Sequence, residues 1–212
     1  MGIYDIRNGL TWPPSRPTNL FMRIQLLARL CALLPLFVAT PVLAQGLAPP
    51  PGSFGPDMFI TDAGNGNLEG VQKALNSGKS PNEVDKIDAT SALIAAAKGN
   101  HVDVMAVLIR DRAQLDHKDK TGNTALNWAA ERGNVDAVKV LLDAGADPST
   151  IDRTGASPLI KAAKIGNVEI LRLLAAKKVD LKRGDFTGVT ALEWAERNRQ
   201  TAAARYLREA GG

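Results

Sequence analysis

Thr124-Ala125-Leu126-Asn127-Trp128-Ala129-Ala130 decides the fold, because similar strings recur along the chain at a spacing of 33. Ser91-Ala92-Leu93-Ile94-Ala95-Ala96-Ala97 stands 33 residues earlier. Ser157-Pro158-Leu159-Ile160-Lys161-Ala162-Ala163 stands 33 later, and Thr190-Ala191-Leu192-Glu193-Trp194-Ala195-Glu196 another 33 on. The strings that follow keep the step: Asn100-His101-Val102-Asp103-Val104, Gly133-Asn134-Val135-Asp136-Ala137 and Gly166-Asn167-Val168-Glu169-Ile170. A fixed period of this length means one supersecondary unit repeated, each copy covering its apolar face with its neighbours.

The unit can be read from its residues. Ser91, Thr124, Ser157 and Thr190 are N-cap residues whose hydroxyl accepts a backbone N–H of a short first helix, and Pro158 occupies the first helical position, where a missing donor costs nothing. That helix is rich in alanine and therefore thin. In the second helix Val135, Val138, Leu141 and Leu142 form one apolar stripe, with Asp136, Lys139 and Asp143 outside it. Gly145-Ala146-Asp147-Pro148 ends the helix, and Asp119-Lys120-Thr121-Gly122 or Asp152-Arg153-Thr154-Gly155 makes the next turn.

The copies are not identical. A weaker first copy runs from Ala63 to Leu75 with Gly78 and Pro81, and one extra residue precedes Ser91. The last copy places Arg208 where the third has Leu142, as suits a terminal repeat with a wetted outer face. Arg112 and Lys178 replace the glycine after the second helix, each costing roughly 1 kcal/mol if left-handed. Asn100 replaces the mid-repeat glycine at less strain. The second and fourth repeats are therefore expected to be locally the less stable ones.

The unit Asp119-x-x-Gly122-x-Thr124-Ala125-Leu126-x-x-Ala129-Ala130-x-x-Gly133-Asn134, continuing through Leu141-Leu142-x-x-Gly145-Ala146-Asp147, resembles an ankyrin repeat. The resemblance spans about residues 57–212. It implies an all-α solenoid of about five helix-turn-helix repeats, at about 57–84, 85–118, 119–151, 152–184 and 185–212, joined by β-hairpin-like turns. It also implies protein binding through a concave surface of hairpin tips and first helices. Carried over position by position, that surface offers Lys120, Thr121, Asn123, Trp128, Glu131 and Arg132 in the third repeat. The fourth offers Arg153, Thr154, Ala156, Lys161, Lys164 and Ile165, and the last Phe186, Thr187, Val189, Trp194 and Arg197. Trp128 and Trp194 have two readings, interface anchors or packing between repeats.

The first 56 residues differ in kind. Nine of the 12 prolines fall before Asp57, and no amphipathic period runs through the segment. From Met22, two arginines, the apolar run Leu30 to Ala39 and Val42-Leu43-Ala44 read as a secretory signal peptide over 22–44 cleaved after Ala44. Arg29 and Pro35 leave the apolar run short of the ~20 residues of a spanning helix, so no stable membrane insertion is expected after cleavage. Residues 1–21 precede that leader with Trp12-Pro13-Pro14-Ser15-Arg16-Pro17, so Met22 is a candidate start, and 45–56 reads as a stiff Pro/Gly linker.

Charge follows the same division. The whole chain has 26 basic and 22 acidic residues, but 1–44 holds four arginines and one aspartate, leaving 22 and 21 from Gln45 onward. A nucleic-acid reading loses its support. What remains is a polarity, with 10 basic and 14 acidic groups in 45–150 against 12 and 7 in 151–212. The single cysteine, Cys31, lies in the leader, so no disulfide framework is available.

Chemistry has little to stand on. Gly64-x-Gly66-x-x-x-Gly70 looks like a dinucleotide loop, yet no strand precedes it and its glycines fall on repeat positions. His101 and His117 have no fixed carboxylate spacing beside them, and His101 fits a structural hydrogen bond at the start of a second helix. The expectation is a monomeric, non-catalytic scaffold without metal or cofactor. Repeats and leader together place it in a periplasm of Gram-negative type, or outside the cell, with an unidentified protein partner. The alternatives are an accessory or protective factor for a periplasmic enzyme and a secreted effector acting on host proteins.

Overall fold

The computed structural model describes residues 57–211; the leader, its cleavage point and the linker up to residue 56 lie outside the described residues. Ten helices and no strand make up the described chain, an all-α solenoid of five helical pairs. The pairs are α1 (Met58–Asn65) with α2 (Leu68–Asn76), α3 (Ala92–Gly99) with α4 (Val102–Arg110), and α5 (Ala125–Arg132) with α6 (Val135–Asp143). Next come α7 (Pro158–Ile165) with α8 (Val168–Ala176) and α9 (Ala191–Arg197) with α10 (Thr201–Glu209).

The four hydroxyl caps act as read. Ser91, Thr124, Ser157 and Thr190 accept from the N–H groups of Ile94, Asn127, Ile160 and Glu193, and Glu193 returns a bond to the Thr190 N–H. Asp57 caps α1 through the Phe59 N–H.

First helices stack in one row and second helices in another. The first row is lined by fully buried alanines such as Ala96, Ala129, Ala162 and Ala195, which admit close approach, and it makes the more extensive contacts. The second row interposes Val138, Leu141, Leu171 and Leu174. A thin row beside a thick one would curve such a stack toward the first helices, and the face that these form with the hairpins is termed the inner face. Side chains at the start of the three middle second helices tie successive repeats: His101 Nε2 bonds the Gly64 carbonyl (3.0 Å), and the Asn134 and Asn167 amides donate to the carbonyls of Ala97 (2.8 Å) and Gly133 (3.4 Å).

Every left-handed residue among those described falls on three stations of the repeat. The mid-repeat station holds Gly66, Asn100, Gly133, Gly166 and Arg199, and the station after the second helix holds Gly78, Arg112, Gly145, Lys178 and Gly211. Arg112 (φ 65°), Lys178 (φ 58°) and Asn100 (φ 59°) are left-handed as expected. Arg199 (φ 57°) joins them, at a position the sequence reading passed over. The hairpin station holds Ala89, Gly122, Gly155 and Gly188.

Candidate functional site

Each later hairpin closes around the aspartate that begins it. Asp119 Oδ1 accepts from the N–H of Thr121 (2.8 Å), the N–H of Asn123 (3.0 Å) and the Thr121 hydroxyl. Asp152 repeats the collar with Thr154 and Ala156, and Asp185 with Thr187 and Val189. The hairpins then link sideways, Arg153 N–H to the Thr121 carbonyl (3.2 Å) and Phe186 N–H to the Thr154 carbonyl (3.0 Å). A continuous rim of turns results.

The second oxygen of each aspartate faces the first helix of its own repeat. Trp128 Nε1 donates to Asp119 Oδ2 at 2.7 Å and Trp194 Nε1 to Asp185 Oδ2 at 2.8 Å. In the repeat between them Lys161 takes the indole's place, its Nζ 3.0 Å from Asp152 Oδ2 and 2.7 Å from Glu131 of the preceding repeat. Burial acts to raise the Asp185 carboxyl, but hydrogen bonds from Thr187 and Trp194 outweigh it and hold the group down at about 2. Asp119 and Asp152 are lowered for the same reasons, burial being overcome by Thr121 and Trp128 in one and by Thr154 and Lys161 in the other.

The indole faces carry cations. Lys98 of the preceding repeat lies 4.0 Å over the Trp128 ring and Lys164 lies 3.9 Å over Trp194. Arg132 and Arg197, further along the tryptophans' own helices, approach the same two rings at 5.9 and 5.7 Å. Partial burial pushes the Lys98 ammonium below its ordinary pKa. Where the later repeats have Trp, Lys and Trp, the first two have Thr61 and Ala95. These small residues leave an open hollow of about 400 Å³, floored by Gly64, Ala95 and Gly99 and edged by Lys98 and Arg132.

The residues selected from sequence separate by burial. Lys120, Thr121, Glu131, Arg132, Arg153, Thr154, Ile165, Phe186, Thr187 and Arg197 are exposed, Phe186 at 72%. Trp128, Lys164 and Trp194 are half-buried. Four others are corrected to the interior. Lys161 (7% exposed) is drawn in by Asp152, Asn123 (5%) donates to the Thr121 hydroxyl, and Ala156 and Val189 close their hairpins. Lys98 escaped the sequence reading, although counting 66 residues back from Lys164 reaches it. His101 makes the structural bond expected of it.

The family description "Ankyrin repeats (3 copies)" matches residues 59–152 and again 144–212, most of the chain and all five helical pairs. The chain is an ankyrin-repeat protein. No curated protein matches it. Ankyrin repeats are in general modules for protein–protein interaction. The half-buried tryptophans of this ankyrin array give their N–H groups to its own hairpins and their faces to its own cations. What the inner face presents outward is therefore mainly the cations and the hairpin tips. No helix among the described residues is long and apolar enough to cross a membrane.

Proposed function

We propose that this protein is a non-catalytic binding scaffold, exported to the periplasm as a monomer, that holds a protein partner on the inner face of its ankyrin array. One observation carries the reading. Beneath the inner face the repeats are nearly alike, with Leu93, Leu126, Leu159 and Leu192 at one position and Ala96, Ala129, Ala162 and Ala195 at another. On its surface they diverge, with Lys98, Glu131, Lys164 and Arg197 at one position and Gly99, Arg132, Ile165 and Asn198 at the next. Uniform packing supports the array, while dissimilar exposed side chains give each repeat its own contact.

Capture from periplasmic extract with the full chain tests this. Arg132→Ala with Arg153→Ala and Phe186→Ala is expected to lose partners that wild type recovers, and equal recovery by both would refute an inner-face site. Export has a separate check. The mass of the protein recovered from the periplasm should correspond to an N-terminus at Gln45, as the leader's small-residue cleavage site implies.

A further inference from the structure

The inner face treats its anions and its cations differently. Asp119, Asp152 and Asp185 are enclosed by their hairpins, Glu131 receives Lys161, and Glu193 receives the Thr190 N–H. Only Asp88, at the tip of the longer hairpin near the N-terminal end, has no such partner on that face among the described residues. Lys98, Arg132, Arg153, Lys164 and Arg197 form no ion pair among the described residues. Two of these cations lie flat on indoles at 4.0 and 3.9 Å, which limits the rotamer freedom they would lose on meeting a ligand. Ile165 (41% exposed) and Phe186 (72%) stand among them as uncovered apolar groups.

Resting on the inner-face reading above, we propose that the occupant is an acidic, extended segment of the partner protein, its carboxylates meeting Lys98, Arg132, Lys164 and Arg197 in turn. Stacked helices lie roughly 8–10 Å apart, and a chain in the extended polyproline II form has three residues per turn and advances about 3.1 Å per residue, so carboxylates three residues apart lie on one face and reach successive repeats. From Lys98 to Arg197 such a segment is about ten residues long, with four carboxylates. Apolar side chains between the acidic ones would cover Ile165 and Phe186. A nucleic acid fits less well, since it offers no apolar side chains to cover Ile165 and Phe186.

Fluorescence anisotropy with the full chain distinguishes these cases. The probes are a labelled peptide of about ten residues with four Glu, one at every third position, and apolar residues between, its Gln twin, and a single-stranded oligonucleotide of equal charge. The proteins are wild type, Lys98→Gln with Lys164→Gln and Arg197→Gln, and an outer-row control removing the same charge, Lys73→Gln with Lys139→Gln and Arg205→Gln. Unchanged helical circular dichroism verifies that each variant is folded.

The Glu peptide should bind wild type and the outer-row control alike. It should bind the inner-face variant at least about tenfold more weakly, as should the Gln twin bind wild type. If the Gln twin binds wild type as tightly as the Glu peptide and is still lost with the inner-face changes, the acidic occupant is refuted while the inner face stands. If the Glu peptide binds all three proteins equally, the inner face falls too. No binding of the Glu peptide, or tighter binding of the oligonucleotide with the same sensitivity, overturns the acidic segment in its own right.

Discussion

Ala89 holds φ at 55° on the station where the other hairpins place Gly122, Gly155 and Gly188. A Cβ there crowds the following carbonyl, so Ala89→Gly should raise the unfolding free energy by about 1 kcal/mol, read from the urea midpoint at constant slope. The converse change should be worse. A Cβ at Gly155 (φ 83°) would meet the Phe186 backbone nitrogen at 2.6 Å, so Gly155→Ala should cost more than about 2 kcal/mol, through strain and the lost Phe186–Thr154 bond together. Asp185 supplies a second test. Its carboxyl is depressed to about 2 from an ordinary value near 3.8, so its stabilisation is complete above that ordinary value and is lost as pH falls from about 4 through 2. Asp185→Asn should be less stable than wild type at neutral pH, with the gap closing across that window in thermal unfolding curves. A gap that stayed constant would show that the carboxylate charge contributes nothing. Counting at 33 reached Asn100, Arg112 and Lys178, and the same count lands on Ala89 and Arg199. Those two were legible but lay in the lengthened hairpin and the divergent last copy, where the surrounding match is weakest.

The repeating element is a hairpin aspartate joined to a first-helix donor nine residues on, and it accepts two chemistries. Asp119 and Asp185 take an indole N–H, and Asp152 takes the Lys161 ammonium. Removing the lysine leaves a buried carboxylate short of a donor, and Glu131 without its partner. Lys161→Ala should therefore destabilise by about 2 kcal/mol, a magnitude held below that of a fully buried pair because Glu131 is half open to solvent. Lys161→Trp copies the neighbouring repeats and should cost less than about 1 kcal/mol in the same measurement. If tryptophan is no better tolerated than alanine, the aspartate does not organise the element. This arrangement also marks where sequence reading stopped. A lysine on a first helix reads as a surface cation, and only the position of Asp152 Oδ2 shows why it turns inward. The helices, caps and turns were legible because each depends on residues within a few positions. The burial of Lys161 and the stacking of Lys98 on Trp128 depend on a neighbouring repeat.

Along the whole array, strain is unevenly distributed. The third repeat has glycine at all three left-handed stations, Gly122, Gly133 and Gly145, whereas the second has Ala89, Asn100 and Arg112. The fourth is strained only at Lys178 and the fifth only at Arg199. Repeats contact only their neighbours, so these local costs are not averaged over a shared core. The second repeat also lies beside the terminal pair α1–α2, which has one neighbour to lean on. Its stability and that of the terminal pair should therefore fail together, before the rest. Native-state hydrogen exchange should find the strongest protection in α5 and α6, clearly weaker protection in α3 and α4, and the weakest in α1 and α2. The expectation from sequence that the second and fourth repeats are locally the less stable ones is thereby sharpened to the second. Ala89→Gly combined with Arg112→Gly should raise protection in α1 to α4 selectively, leaving α7 to α10 unchanged. A uniform rise over all ten helices would mean that the array unfolds as one cooperative body, and that strain in any repeat is shared by all.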